Sequence, residues 1–196
     1  MDNVHRVIQR TMRYKRSGGV MPLCPRRGIT RDHLAQTFKA LGYTLGVEIG
    51  THKGKYAKIL CATNPGLHLI CVDPWKAYLH LSQAVQDALF EQTRQRLKPY
   101  NTEILVTTSM EAVKRYPDGA LDFVFIDGDH DYAACNEDII AWAPKVKHGG
   151  IIAAHDYYNR FWPGVTDAVN EYIKAHSITP WYVTRDRLAT AFWVNP

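Results

Sequence analysis

Two stretches hold the residue types that move protons and bind cations. Asp127-Gly128-Asp129-His130-Asp131-Tyr132 follows directly on Leu121-Asp122-Phe123-Val124-Phe125-Ile126, which reads as a buried strand, and His155-Asp156-Tyr157 follows the run 150–154. Three carboxylates crowded at the mouth of a buried strand repel one another unless a cation or hydrogen bonds compensate. If the two runs are adjacent parallel strands, their tips lie side by side and Asp127, His155 and Asp156 converge. Oxygen ligands with one imidazole suit Mg²⁺ or Mn²⁺, and Zn²⁺ less well. His130, at the same rim, has the ring chemistry to take a proton from a substrate hydroxyl near neutral pH, with Asp129 as the competing base. The structural alternative is that Asp127 and Asp156 only cap the helices or loops that follow.

A second kind of chemistry is written at Val47-Glu48-Ile49-Gly50-Thr51-His52-Lys53-Gly54-Lys55-Tyr56-Ala57. An apolar run from Leu45 to Ile49 leads into Gly50, Gly54 follows four residues later, and Tyr56, Ile59 and Leu60 then recur at helical spacing. This is a strand feeding a tight turn into a helix, whose N-terminus offers free N–H groups. Such joints serve dinucleotide, phosphate and methyl-donor sites. The next apolar run ends in Val72-Asp73-Pro74-Trp75, which places a carboxylate 19 residues after Gly54. A carboxylate on the neighbouring strand tip is placed to accept hydrogen bonds from a ribose diol.

The elements that must position these groups alternate. Strands are expected at 45–49, 68–73, 103–107, 121–126, 150–155, 180–184 and 189–194, and helices at 55–62, 80–98, 109–116, 133–143 and 164–176. Only the turn Arg185-Asp186-Arg187 separates the last two strands, so they pair antiparallel. The fold class is therefore α/β, a Rossmann-like doubly wound seven-stranded sheet with an antiparallel C-terminal strand pair. Residues 1–43 read as a basic helical arm and a capping helix on a single compact domain over 44–196. In the arm, Val4, Val7, Ile8 and Met12 share one face. A loop follows at Ser17-Gly18-Gly19 and Pro22 to Gly28, then a helix capped by Thr30 and ended by Gly42.

With 196 residues, 46% hydrophobic and 22% charged, the chain is long enough to bury a core. No apolar run reaches the roughly 18–20 residues of a membrane span, and the N-terminus lacks an apolar signal-peptide core. The four cysteines include no CxxC pair, which suits reduced thiols and a cytoplasmic setting. Residues 1–40 hold nine Lys/Arg against Asp2 and Asp32, so the net charge of +5 is concentrated in the arm. An arm of this kind suits an acidic substrate, nucleic acid, or a neighbouring subunit in a homo-oligomer.

Taken together, Val47-Glu48-Ile49-Gly50 with Gly54, Val72-Asp73-Pro74-Trp75, Phe125-Ile126-Asp127-Gly128-Asp129-His130-Asp131-Tyr132, Gly149-Gly150 through His155-Asp156-Tyr157, and Trp162-Pro163-Gly164-Val165 resemble a class I S-adenosylmethionine-dependent methyltransferase. More narrowly, they resemble the small bacterial and phage-type family that includes sugar and antibiotic O-methyltransferases, with catechol-type enzymes as more distant relatives. The resemblance covers about residues 44–176. It implies that Glu48 and Gly50 lie against the methionine part of the donor, with His52 and Lys53 bringing positive charge near its carboxylate. It also implies that Asp73 binds the ribose and that Ser109 and Met110 flank the adenine. Asp127 borders the donor and, with His155 and Asp156, occupies the divalent-metal positions, while His130 takes the general-base position. Many relatives carry two acidic residues, or Asp-Asn, where this chain has His155-Asp156. The implied acceptor is a small hydroxylated molecule, with aromatics at Trp75, Tyr78, Tyr157, Tyr158, Phe161 and Trp162 available as a wall.

Three rival readings remain at this level. An NAD-type oxidoreductase would use the same strand–turn–helix, but the spacing is Gly50-x-x-x-Gly54 rather than G-x-G-x-x-G. A metal-dependent hydrolase would leave Asp73 and the donor loop without a purpose. A donor- or partner-binding module without catalysis would leave the base and metal candidates idle. No Asn/Asp-Pro-Pro-aromatic motif follows the strand at 121–126, which argues against methylation of nucleic-acid bases.

Overall fold

The computed structural model describes residues 2–14, 21–78 and 81–196. The expected Ser17-Gly18-Gly19 loop and the first residue of the helix expected at 80–98 lie outside them. Seven strands run β1 (Leu45–Ile49), β2 (His68–Asp73), β3 (Thr102–Val106), β4 (Leu121–Ile126), β5 (Val146–Tyr157), β6 (Trp181–Val183) and β7 (Ala189–Val194). They form one sheet in the order β3-β2-β1-β4-β5-β7-β6. The first five are parallel, and β7 pairs antiparallel with both β5 and β6. The chain builds outward from β1 to β3 and then crosses to β4. The strand order therefore reverses between β1 and β4, where an open α/β sheet leaves its crevice at the carboxyl ends.

Both faces are covered, which is why β4 is apolar from Phe123 to Ile126. Phe123 and Phe125 point to one face, Val124 and Ile126 to the other, and every residue of the strand is buried. On the first face lie α1 (Asp2–Thr11), α2 (Arg31–Leu41) and α3 (Lys55–Thr63), with Ile8, Met12, Phe38 and Leu60 fully enclosed. On the second lie α5 (Ser109–Ala112), α6 (Tyr132–Trp142) and α7 (Pro163–Ala175), packed around Trp142, Val169 and Trp193. Helix α4 (Gln83–Leu97) lies beside α3, and its Leu97 joins the first face.

Residues 2–14 of the basic arm lie on the domain. Ile8 and Met12 are fully buried, His5 Nδ1 lies 2.8 Å from the Tyr182 hydroxyl, and Tyr14 donates to the Val183 carbonyl at 3.1 Å. The apolar stripe is thus satisfied inside the chain, against β6 and β7. Thr30 caps α2, and Gly42 ends it in a left-handed conformation (φ +69°), as its sequence predicts. Before α2, Leu23 hydrogen-bonds to both Trp181 and Val183 and so extends the sheet's outer edge. All four thiols are free, and only Cys24 is exposed. Among the described residues, no helix is long and apolar enough to cross a membrane.

Candidate active site

The loop between β1 and α3 is held open by backbone geometry. Gly50 has φ +80°, and a Cβ there would lie 2.0 Å from the Asp127 carbonyl, so only glycine lets β1 and β4 approach this closely. His52 (φ +46°) and Gly54 (φ +63°) complete the turn. Asp73 locks it: one carboxylate oxygen accepts from the His52 N–H and the other from the Trp75 N–H, both at 2.8 Å. Burial raises the Asp73 pKa, and these two donors oppose the rise. The Trp75 indole and the Thr93 hydroxyl both donate to the His52 carbonyl, at 3.0 and 2.6 Å.

Beside this loop lies a cleft of about 230 Å³, reached by Glu48, Gly50, His52 and Asp127 together with Arg31, Lys53, Lys55 and Tyr56. Glu48 is 2% exposed, and its Oε2 has no hydrogen-bond partner. Burial pushes its carboxyl up to about 8, against a small opposing pull from Thr51. The cleft thus joins an unsatisfied acidic group to several cationic ones.

The second cluster forms where β4 and β5 end. Neighbouring residues on a regular strand face opposite sides, yet His155 and Asp156 both reach Asp127's side. The cause is an irregularity in the β5–β7 pairing between Ala154 and Tyr157, with Asp156 forced to φ +61°. His155 Nδ1 lies 3.2 Å from Asp127 Oδ1 and 3.4 Å from Asp156 Oδ2. His130 Nε2 lies 2.8 Å from Asp156 Oδ2 and 3.8 Å from Asp127 Oδ1. Neither nitrogen makes a well-formed hydrogen bond. For both carboxyls burial favours the neutral form, but the two histidines outweigh it and hold Asp127 and Asp156 below the usual carboxylate range. Asp127 and then Asp156 raise the His130 pKa to about 9.

One atom each from Asp127, His130 and Asp156 lies within 4.8 Å of the others, a spacing that a single cation can span. His155 is different. It is 6% exposed, and its Nε2 is 2.9 Å from the Arg31 guanidinium, so it backs the cluster. Both histidines thus border the two carboxylates, His130 from the exposed side and His155 from the buried side. Asp129 sits at the rim, where its Oδ2 accepts from the Tyr78 hydroxyl at 3.1 Å. Ser109 is committed to a buried pair, bonded to Asp138 and accepting from the Trp142 indole at 2.7 Å, while Met110 beside it is half-buried. The aromatic wall divides. Trp75 and Tyr157 are buried bracing groups, whereas Tyr78, Tyr158, Phe161 and Trp162 are exposed, with Trp162 5.5 Å from the His130 ring.

Arg31 was not legible as a site residue. One signal was present: a cation in the first turn of a helix opposes the helix dipole, which marks a residue kept there for another reason.

Residues 47–157 match the family model described as "Methyltransferase domain", which is more than half of the chain. The chain belongs to that methyltransferase family. Both clusters lie within or beside the matched segment, and only Arg31 comes from well outside it. The chain is 29% identical over 147 residues to an uncharacterized protein of Acanthamoeba polyphaga mimivirus, covering 72% of this chain and 64% of that protein. The chain therefore spans just under two thirds of that relative's length. In fold it is similar to a Staphylococcus aureus protein assigned to the caffeoyl-CoA O-methyltransferases, with TM-score 0.67, 15% identity, and 99% and 91% of the two chains covered. It is also similar to an O-methyltransferase of Bacillus cereus solved with S-adenosylhomocysteine, with TM-score 0.59, 13% identity, and 99% and 91% covered.

Proposed function

We propose that this methyltransferase moves the methyl group of S-adenosylmethionine to a hydroxyl of a small acceptor held at the tips of β4 and β5. The observation that carries this reading is the convergence of Asp127, His130 and Asp156 beside a cleft with an unpartnered buried glutamate. Two features support the donor's binding there: the orphaned Glu48 oxygen suits its ammonium group, and Asp73 at the neighbouring strand tip suits its ribose. Methyl transfer from a sulfonium is an in-line displacement, so the protein's main tasks are to align the acceptor oxygen and accept its proton.

Asp127, His130 and Asp156 would hold a divalent cation, which suits the two carboxylates and one imidazole they offer. Such an ion would supply Lewis-acid chemistry that lowers the pKa of an acceptor hydroxyl. With His130 drawn into that set, Asp129 takes the proton. The exposed rings of Tyr78, Phe161 and Trp162 border the space beside it and favour a flat-faced acceptor.

Calorimetry tests the two parts separately. S-adenosylhomocysteine is expected to bind both with and without a chelator present. Mn²⁺ affinity is expected to fall at least tenfold in Asp156→Asn and in His130→Ala, and to change less in His155→Phe. No heat with millimolar S-adenosylhomocysteine overturns the donor reading. Unchanged Mn²⁺ binding in both ligand variants returns Asp127 and Asp156 to structural duties.

A further inference from the structure

We propose that the outer side of α1 and the rim beyond it form a docking surface for single-stranded nucleic acid, gripping its phosphates with a track of arginines. This goes beyond the proposed reaction and does not depend on it. The track begins on α1, where Arg6 and Arg10 lie opposite the buried Ile8 and Met12, and Arg13 follows the last turn; all three are exposed. It continues where three segments meet at one residue of β6. The Val183 carbonyl accepts from the Tyr14 hydroxyl at 3.1 Å, and its N–H donates to the Leu23 carbonyl at 3.0 Å. Two residues on, the Arg185 N–H donates to the Ile29 carbonyl at 2.8 Å. These bonds bring Arg13, the exposed pair Arg26-Arg27, and exposed Arg185 and Arg187 of the β6–β7 turn to one edge of the domain. None of these residues lies in the matched segment 47–157.

The charge along this edge is uncompensated. Segments 3–14 and 21–31 contain no Asp or Glu. Asp186, the one carboxylate of the β6–β7 turn, is taken up by the Thr184 hydroxyl and the Arg31 N–H. Among the described residues, none of Arg10, Arg13, Arg26, Arg27, Arg185 and Arg187 forms an ion pair. The track's cations are all arginines, whose planar fork bonds a phosphate bidentately and stacks on rings, where lysine offers only a point charge. The 10 residues of α1 span about 15 Å, over which one strand presents about four phosphates. A bilayer is a poorer fit, because the apolar side of α1 is already buried in the core and leaves no wedge to insert. Rings at the end of the track suit unpaired bases. Tyr157 pairs with Ala189, so Tyr158, 59% exposed, follows beside the Arg187-Leu188 end of the turn. The Arg160 guanidinium lies over the neighbouring Phe161 ring, 5.1 Å from its centroid. Exposed rings among arginines are platforms on which bases stack whatever their sequence, and a duplex hides those base faces.

Fluorescence anisotropy of the full chain with a labelled single-stranded RNA of about 12 nucleotides tests this. Binding is expected at low salt, with affinity falling steeply as salt rises because the contacted phosphates release counterions. The double variants Arg10→Gln/Arg13→Gln and Arg185→Gln/Arg187→Gln are each expected to weaken binding on the order of tenfold. Each should also flatten the slope of log affinity against log salt by about 1.4, the share of two phosphates. Either pair carries the test if the other variant does not fold. Tyr158→Ala is expected to weaken binding on the order of tenfold with the slope unchanged, since it removes stacking and no charge. Lys114→Gln/Arg115→Gln, which removes the same charge beside Val113 on the opposite face of the sheet, is expected to change neither quantity. No binding at low salt overturns the proposal, as do unchanged affinity and slope in both arginine pairs. An equal loss in the Lys114/Arg115 control overturns it too, marking attraction to net charge alone. So does equally tight binding of polyglutamate or of phosphatidylserine vesicles, which would assign the surface to an acidic protein or a membrane.

Discussion

Glu48 shows how a single side chain can trade stability for binding. A carboxyl with its pKa raised to about 8 prefers the protonated form in the fold, whereas in the unfolded chain it ionises near its ordinary value of about 4.3. The sign follows from linkage. Below the unfolded pKa both states are protonated and the site costs nothing; as pH rises toward the folded pKa, stability is progressively lost. Glu48→Gln is therefore expected to stabilise the free protein, by about 1–3 kcal/mol near pH 8 and not measurably near pH 4. Urea melts across that range check this. Binding carries the opposite sign. An ammonium in the cleft favours ionised Glu48, so S-adenosylhomocysteine should expel a proton at pH 7, and its affinity should rise toward pH 8. Calorimetry in two buffers of different ionisation enthalpy reads the released proton, and Glu48→Gln should abolish it. If the glutamine variant releases the same proton, Glu48 is not the group that meets the ammonium.

At the scale of elements, the sheet is tied at both ends by buried carboxylates. At the end away from the active site, Asp122 Oδ2 accepts from the Thr44 and Leu45 N–H groups at 2.6 and 2.9 Å, and Oδ1 pairs with Lys147. Burial would raise this carboxyl, but Lys147 and the two backbone donors outweigh it and lower its pKa. Its stabilisation is therefore complete above the ordinary carboxylate range and fades as pH falls through the folded value. Asp122→Asn is expected to cost about 1–3 kcal/mol at pH 7, and its denaturation curves should converge with the parent's in acid. A constant difference at all pH values would mean that the carboxylate's charge contributes nothing. Most of these elements were legible in the sequence, because apolar runs and glycine turns mark strand tips directly. Strands β1, β2, β4 and β7 begin and end where the hydrophobic pattern does. Strand β5 starts at Val146, before the expected 150, because Lys147 and His148 hide the ladder's polar beginning. The site was legible as a set of residues and illegible as a set of roles. Spacing cannot show the irregularity that turns His155 and Asp156 to the same side, and Arg31 reaches the site only through tertiary packing.

For the whole molecule, the question is what residues 1–43 do for a sheet that already carries the family's motifs. Helix α1 covers the face formed by Tyr182 and Phe192, with Ile8 and Met12 fully enclosed, and packs on α2. Thr11 and Thr37 hydroxyls bond across that contact at 2.7 Å. Helix α2 in turn presents Arg31 to the cleft, and its first N–H is held by Asp186 in the β6–β7 turn. Basic charge here rides on the outer side of a helix whose inner side completes the core. Removing the arm should therefore unfold a face, and its effect on donor binding should pass through α2. Met12→Ala is expected to cost about 2–5 kcal/mol, since a fully buried side chain leaves a cavity behind. At roughly 2–4 °C per kcal/mol for a chain of this size, the melting temperature should fall about 4–20 °C. Affinity for S-adenosylhomocysteine should fall as well, if a loosened α2 shifts the Arg31 edge of the cleft. Scanning calorimetry and ligand titration on the same variant separate the two effects. An unchanged melting temperature would show that α1 contributes no packing energy. A lowered one with that affinity intact would show that α2 holds Arg31 in place without α1's help.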